Sequence, residues 1–168
     1  HLSLRRQRQM CIRDRDENLT KKVIVAGVGM IPFKKPGASE NYNVMGEKAA
    51  RAALEDAGLD YKLVQQAYVG YVYGDSTAGQ AALYGVGLSG IPIFNVNNYC
   101  STGSSALFLA RQAVQSGTID CAIALGFEQM TPGALDILFE DRPNPLMRFY
   151  DEMTCLLYTS DAADEGLG

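Results

Sequence analysis

The stretch FNVNNYCSTGSSALFLARQAV sets one cysteine, Cys100, between an Asn-rich strand end and a run of small hydroxyl and glycine residues. Those residue types suit a nucleophile. A thiol attacks a carbonyl carbon as thiolate, and the free amides and partial positive charge of a helix N-terminus favour that form. Ser101, Gly103, Ser104 and Ser105 are small enough for a second backbone or a ligand to come close. The backbone N–H of Cys100, at the helix start, is a candidate oxyanion donor. Tyr99 supplies a bulky wall beside it. The plain alternative is a turn holding a buried thiol, the usual fate of a free cysteine. Cys121 fits that alternative, flanked by apolar strand residues in CAIAL.

Other candidates are weaker. Glu128 follows a strand end and reads either as support for the active site or as a solvated turn residue. GVGMIP (Gly27 to Pro32) has the look of a dinucleotide loop, but it lacks the third Gly and puts Pro32 where the helix should open. Tyr68, Tyr71 and Tyr73 read as core or subunit interface. The four cysteines form no CxxC pair or metal-ligand spacing, and the one histidine is residue 1. A metal site is therefore not expected. A net charge of −4 gives no basic footprint for nucleic acid. No apolar run approaches the roughly 20 residues of a membrane helix. The absence of a disulfide framework and of a secretory signal favours a reducing interior, so the cytoplasm is expected, or the peroxisome in a eukaryote.

The two ends read as foreign. Codons exist for Cys155 to Glu165 whose reverse complement, read one frame over, encodes Arg5 to Asp14. Both ends thus match one DNA segment in opposite orientations, resembling the transposase adapter of sequencing libraries. Residues 1–15 and 155–168 are expected to be translated adapter, and residues 16–154 a fragment of a longer gene product. Setting the ends aside leaves an acidic stretch with two cysteines, Cys100 and Cys121, and no histidine.

The elements that must position Cys100 follow from hydrophobic pattern and turn residues. KKVIVAGVGM (21–30) reads as a buried strand. IPFKKPGASENYN is a loop. Residues 44–57 read as a helix with Ala49, Ala53 and Ala57 on one face and Gly58 as its stop. Val69, Tyr71 and Tyr73 alternate as in a strand. DSTAGQAALYGVGLSG opens with a cap signal and becomes a short helix. IPIFNVNN is a third strand, and residues 101–116 a helix with Ala106, Leu107, Ala110, Ala113 and Val114 in one stripe. DCAIALGFEQM is a fourth strand. After Met130 the composition turns to loop with a helical piece. Near-continuous apolar strands indicate a sheet covered on both faces. The order β-α-β-α-β-α-β predicts an α/β fold with a mixed, mostly parallel sheet and right-handed crossovers.

NVNNYCSTGSSAL resembles the nucleophile segment of thiolases, and GDSTAGQ and ALGFEQM resemble two further thiolase segments. With YVGYVYGDSTAGQ, SGIPIFNVNN and IALGFEQM, the resemblance is nearest to the sterol carrier protein 2-type (SCP-x) thiolases and runs from about residue 22 to 142. It implies the N-terminal one of two similar β-α-β-α-β-α-β-β halves, packed in five layers, usually in a dimer or tetramer. It implies coenzyme A thioesters as substrates, with no bound cofactor, and Cys100 as the residue that carries the acyl group through thiolysis or condensation. It also implies an activating His and a second acid/base Cys. Neither lies in residues 16–154, so the fragment by itself is expected to be inactive. Two other readings stand beside it: a thiolase-like subunit that binds lipid or a partner without turnover, and a ketoacyl synthase-type condensing enzyme.

Overall fold

The computed structural model describes residues 22–132, 139–143 and 145. The two ends expected to be foreign lie outside them, as does most of the expected loop after Met130.

Helix α1, Tyr42–Ala57, ends where expected. Gly58 takes the left-handed conformation, φ 63°, which costs glycine least. Its N–H donates to the Glu55 carbonyl and that of Leu59 to the Leu54 carbonyl, both at 3.0 Å. This pair of bonds satisfies the last carbonyls of the helix. A 3-10 turn at Tyr61–Leu63 follows, its start capped by Asp60, whose carboxylate accepts the Lys62 N–H at 2.9 Å.

Three parallel strands follow, joined by helices. They are β1 (Gln66–Gly70), α2 (Ala78–Tyr84), β2 (Ile93–Val96), α3 (Thr102–Gln115) and β3 (Ala122–Gly126). The sheet order is β2-β1-β3, with Gly70 opposite both Val96 and Gly126. All three strands therefore finish level, and the residues after them share one edge. Gln65 secures the opposite edge, its side-chain oxygen accepting the N–H groups of Asp120 and Cys121 at 2.6 and 3.2 Å.

The alternation of β1 sorts the layers. Ala67, Val69 and Tyr71 pack with Ile123 and Leu125 of β3, Ala50 of α1 and Ala78, Ala82 and Leu83 of α2. Tyr68 turns to the other face, against Ala106 and Ala110 of α3, and stacks on Phe94 with ring centroids 5.1 Å apart. The central strand β1 is thus covered on both faces, whereas β2 is exposed at Phe94 and Asn95 and β3 at Ala124 and Gly126, so the expectation of strands covered on both faces holds for β1 alone. Tyr68 and Tyr71 are core residues.

Two differences from the sequence-based expectations stand out. Residues 22–30 form no regular element, are mostly exposed and join no strand of the described sheet. β2 and β3 already occupy both edges of β1. The segment lies instead on α1, where the Val28 N–H donates to Asp56 at 2.8 Å. A Cβ at Gly27 or Gly29 would run into the backbone of α1 at Ala49, Ala53 and Ala57. The Ala49/Ala53/Ala57 stripe therefore receives this glycine pair, while Met45, Gly46 and Ala50 are the buried residues of α1. The stripe of α3 is also narrower than expected. Thr102, Ala106 and Ala110 are buried, whereas Leu107 and Phe108 are more than half exposed.

A second compact unit begins at Gly133. In its described part Arg142 pairs with Asp141 at 2.8 Å and lies over the Phe139 ring, 4.5 Å from its centre.

Candidate active site

Cys100 stands on the elbow between β2 and α3, beyond the C-terminal ends of the parallel strands. The chain leaves β2 at Val96 and enters α3 at Thr102, with Ser101 in the N-cap position. Tyr99 has a φ of 52°, a left-handed conformation that a bulky side chain adopts only when its surroundings hold it there. Those surroundings are dense. The Asn98 carbonyl accepts both the N–H of Ser101 (3.1 Å) and its hydroxyl (2.8 Å). The Tyr99 carbonyl accepts the Thr102 N–H at 3.1 Å and also its hydroxyl. The Asn98 N–H donates to Thr102 Oγ1 at 3.1 Å, its side-chain amide to Ser105 Oγ at 2.9 Å, and the Tyr99 N–H to Asn97 Oδ1 at 3.2 Å.

These bonds explain the small hydroxyl residues around the cysteine. Ser101, Thr102 and Ser105 tie down the elbow, and Asn97 and Asn98 tie it from the strand side. Cys100 is left exposed at the turn. The elbow also needs room beneath it. Thr102 is buried, and a Cβ on Gly70, at the end of β1, would stand 2.7 Å from the Thr102 carbonyl oxygen. Only glycine lets the head of α3 sit this close to the sheet. At Gly103 an added Cβ would meet nothing within 4 Å, so the space above the first turn of α3 is open.

Cys121 is placed differently. It is half-buried at the start of β3 and packs against the main core. Burial pushes its thiol up from the ordinary range. The two cysteines therefore divide as their sequence settings indicate, one on the elbow and one against the core.

Glu128 has a role that its neighbours in sequence do not reveal. Its two carboxylate oxygens accept the N–H groups of Val72 and Tyr73, at 2.9 and 2.8 Å, in the loop after β1. Beside it, Gln129 Oε1 accepts the Tyr42 N–H at 2.9 Å, at the start of α1. Phe127 stacks between Tyr42 and Tyr71 at 5.4 and 5.2 Å. GFEQM is thus a fastening point for α1 and the β1–α2 loop. The sequence offered no signal for this, because each partner lies more than 50 residues away.

The β1–α2 loop forms one wall of a polar cleft of about 190 Å³, lined by Tyr71, Val72, Asp75, Asn95, Val96 and Asn97 among others. Asn95 pins the loop's far end, accepting the Gly79 N–H at 2.9 Å and donating to Gln80 Oε1 at 2.8 Å. The expected cap at Asp75-Ser76-Thr77 takes another form. Thr77 is the N-cap with a φ of 64° and makes no side-chain cap bond, while the Asp75 carbonyl accepts the Ala78 N–H at 3.2 Å.

Gly27 and Gly29 belong to the α1 contact, and GVGMIP opens no helix. Among the described residues no group of three or more His, Cys, Asp or Glu is placed to hold a metal ion. No helix among them is long and apolar enough to cross a membrane.

The family profile described as "Thiolase, N-terminal domain" matches residues 23–144. Sterol carrier protein 2 of Gallus gallus is 53% identical over 137 residues, which is 80% of this chain and 25% of that protein. The benzoylsuccinyl-CoA thiolase subunit BbsB of Thauera aromatica is 38% identical over 67% of this chain and 29% of its own length. The chain thus spans between a quarter and a third of the length of these relatives. Among solved structures, the acetyl-CoA acetyltransferase of Bacillus anthracis superposes with a TM-score of 0.60 at 19% identity, over 65% of this chain and 29% of that one. That likeness establishes a shared fold.

Proposed function

This chain belongs to the thiolase family, and from that premise we propose that Cys100 is the nucleophile of a coenzyme A-dependent acyl transfer. The observation that carries the proposal is the elbow. Tyr99, held in a left-handed conformation, presents an exposed thiol at the head of α3, with open space over Gly103.

In the thiolytic direction Cys100 Sγ adds to the C3 carbonyl of a 3-oxoacyl-CoA. The C2–C3 bond breaks, the acetyl-CoA carbanion leaves and is protonated at C2, and the acyl group stays on Sγ as a thioester. The thiol of a second coenzyme A then gives up its proton and attacks that thioester, and Cys100 leaves as thiolate. Condensation runs the same steps backwards. The Ser101 and Thr102 amides are taken by the Asn98 and Tyr99 carbonyls. This leaves the Gly103 and Ser104 amides of the first turn, which a helix cannot satisfy within itself, suited to receive the developing oxyanion.

The proton transfers need an acid and a base. The one histidine is residue 1, and Cys121 is half-buried at the far end of β3. Both groups are therefore assigned to sequence outside residues 16–154. This chain alone should accept an acyl group slowly and fail to turn over. Acyl-CoA and coenzyme A are the small-molecule partners in this reading, and the exposed Leu107 and Phe108 of α3 suit burial against a further domain or subunit.

The test is acylation followed by peptide mass spectrometry, with the full-length parent assayed for cleavage of a 3-oxoacyl-CoA. An acyl adduct on Cys100 and loss of cleavage in Cys100→Ala are expected. Turnover retained in that variant overturns the assignment. A second reading draws on relatives named as sterol carrier and non-specific lipid-transfer proteins. In it the domain holds lipid or a partner without turnover, and Cys100 acquires no acyl group.

A further inference from the structure

We infer that Glu128 is a positioning residue whose clamp on the β1–α2 loop decides which groups reach Cys100. The inference rests on the nucleophile reading above.

The chain of contacts is short. Glu128 accepts two consecutive backbone N–H groups, Val72 and Tyr73, one on each carboxylate oxygen. Charge-assisted bonds of this kind are stronger than neutral ones, and a carboxylate is the one side chain that accepts on both oxygens at once. Inside the loop, the Tyr71 hydroxyl donates to the Asp75 carbonyl at 3.0 Å and accepts the Ala78 N–H at 3.3 Å. The loop is therefore held at its start by Glu128, across its middle by Tyr71, and at its end by the Asn95 contact with Gly79. Val72 and Asp75 line the 190 Å³ cleft together with Asn95 and Asn97, and beside them the Tyr71 N–H donates directly to the Val96 carbonyl at 3.3 Å. Asn97 is the residue whose side chain holds the N–H of Tyr99, next to Cys100. One wall of the cleft thus belongs to the elbow, and the other is set by Glu128.

Three other holds, the Asn95 contact with Gly79, the Tyr71 hydroxyl and the bond from the Tyr71 N–H to the Val96 carbonyl, would leave the loop attached but looser without Glu128. The consequence is selectivity. A fixed wall limits the bulk of a group approaching the elbow from this side, and a loosened wall admits larger ones. Glu128 would act through the loop without touching the reacting atoms.

The test compares Glu128→Gln with wild type in the 168-residue chain. An amide side chain keeps one acceptor and presents an N–H₂ to the other backbone donor. Exchange protection of the Val72 and Tyr73 amides should fall by about tenfold or more while that of Ala67 to Val69 in β1 is kept. Labelling of Cys100 is then measured with methyl methanethiosulfonate and with its decyl counterpart. The ratio of decyl to methyl rates should rise about threefold, a change that a uniformly destabilised protein would not produce. Unchanged protection overturns the clamp, and lost protection with an unchanged ratio overturns its effect on selectivity. Glu128→Asp, which keeps the charge on a shorter arm, should show the same direction and serves if the Gln variant does not fold. Failure of the nucleophile reading would appear separately, as a Cys100 that takes no acyl group while the amide-exchange result stands.

Discussion

Replacing Gly70 by alanine should loosen the elbow although the substitution lies on another element. The new Cβ would stand 2.7 Å from the Thr102 carbonyl oxygen and 2.8 Å from its carbonyl carbon and its Cγ2. Two of those atoms are backbone and cannot rotate away. Gly70 cannot retreat either, because it lies opposite Val96 on one side and Gly126 on the other, and its carbonyl accepts the Phe127 N–H at 3.2 Å. The strain is relieved by lifting the head of α3, which uncovers Thr102 and weakens the contact of Ala106 and Ala110 with Tyr68. Overpacking of this kind costs about 1–3 kcal/mol. In a domain of roughly this size that is a fall in Tm of about 5–15 °C. Thermal unfolding by circular dichroism reads the stability, and the rate of Cys100 alkylation reads the elbow, which should change with it. Gly103→Ala is the matched control. Its Cβ meets nothing within 4 Å, so the helix propensity of alanine should stabilise by about 0.5–1 kcal/mol. A Gly70→Ala protein as stable as wild type, with unaltered alkylation, would refute the close-approach argument.

Iodoacetamide at neutral pH should modify Cys100 well before Cys121. Burial raises the Cys121 thiol and so keeps its neutral form favoured until the pH passes above the ordinary thiol range, and peptide mapping across a pH series checks the order. Tyr61→Phe should leave stability unchanged or raise Tm by a few degrees, because the Tyr61 hydroxyl is buried with no hydrogen-bond partner among the described residues. A loss above about 1 kcal/mol in urea unfolding would mean that the hydroxyl is bonded after all. Phe127→Leu removes stacking on two rings, Tyr42 and Tyr71, and should cost about 1–3 kcal/mol by the same measurement.

What could be read from the sequence divides according to the range over which the responsible forces act. Gly58 as a helix stop is a local fact, since the left-handed backbone and the two closing bonds involve residues within five positions. Cys100 at a strand-to-helix junction is equally local: the Asn, Ser and Thr side chains that fasten the elbow lie between positions 97 and 105. Their composition was visible in the text of the chain, although which hydroxyl bonded which carbonyl was not. The three strands were legible because an apolar run needs no knowledge of its partners, although only β1 is covered on both faces. The same signal over residues 22–30 led to a strand that the described sheet does not contain. β-propensity measures fit to a pleated, covered surface, and whether that surface is available depends on which strands already flank β1. Gly27 and Gly29, with the alanine stripe of α1, offered a second surface, and no single-segment pattern distinguishes the two. Glu128 shows the same limit from the side of function. A carboxylate after a strand is neutral information until the loop 55 residues earlier supplies two amide donors in line with it. Thus the turn that carries Cys100 is encoded locally, whereas the β1–α2 loop near it is fastened by pairings that exist only once the sheet has assembled.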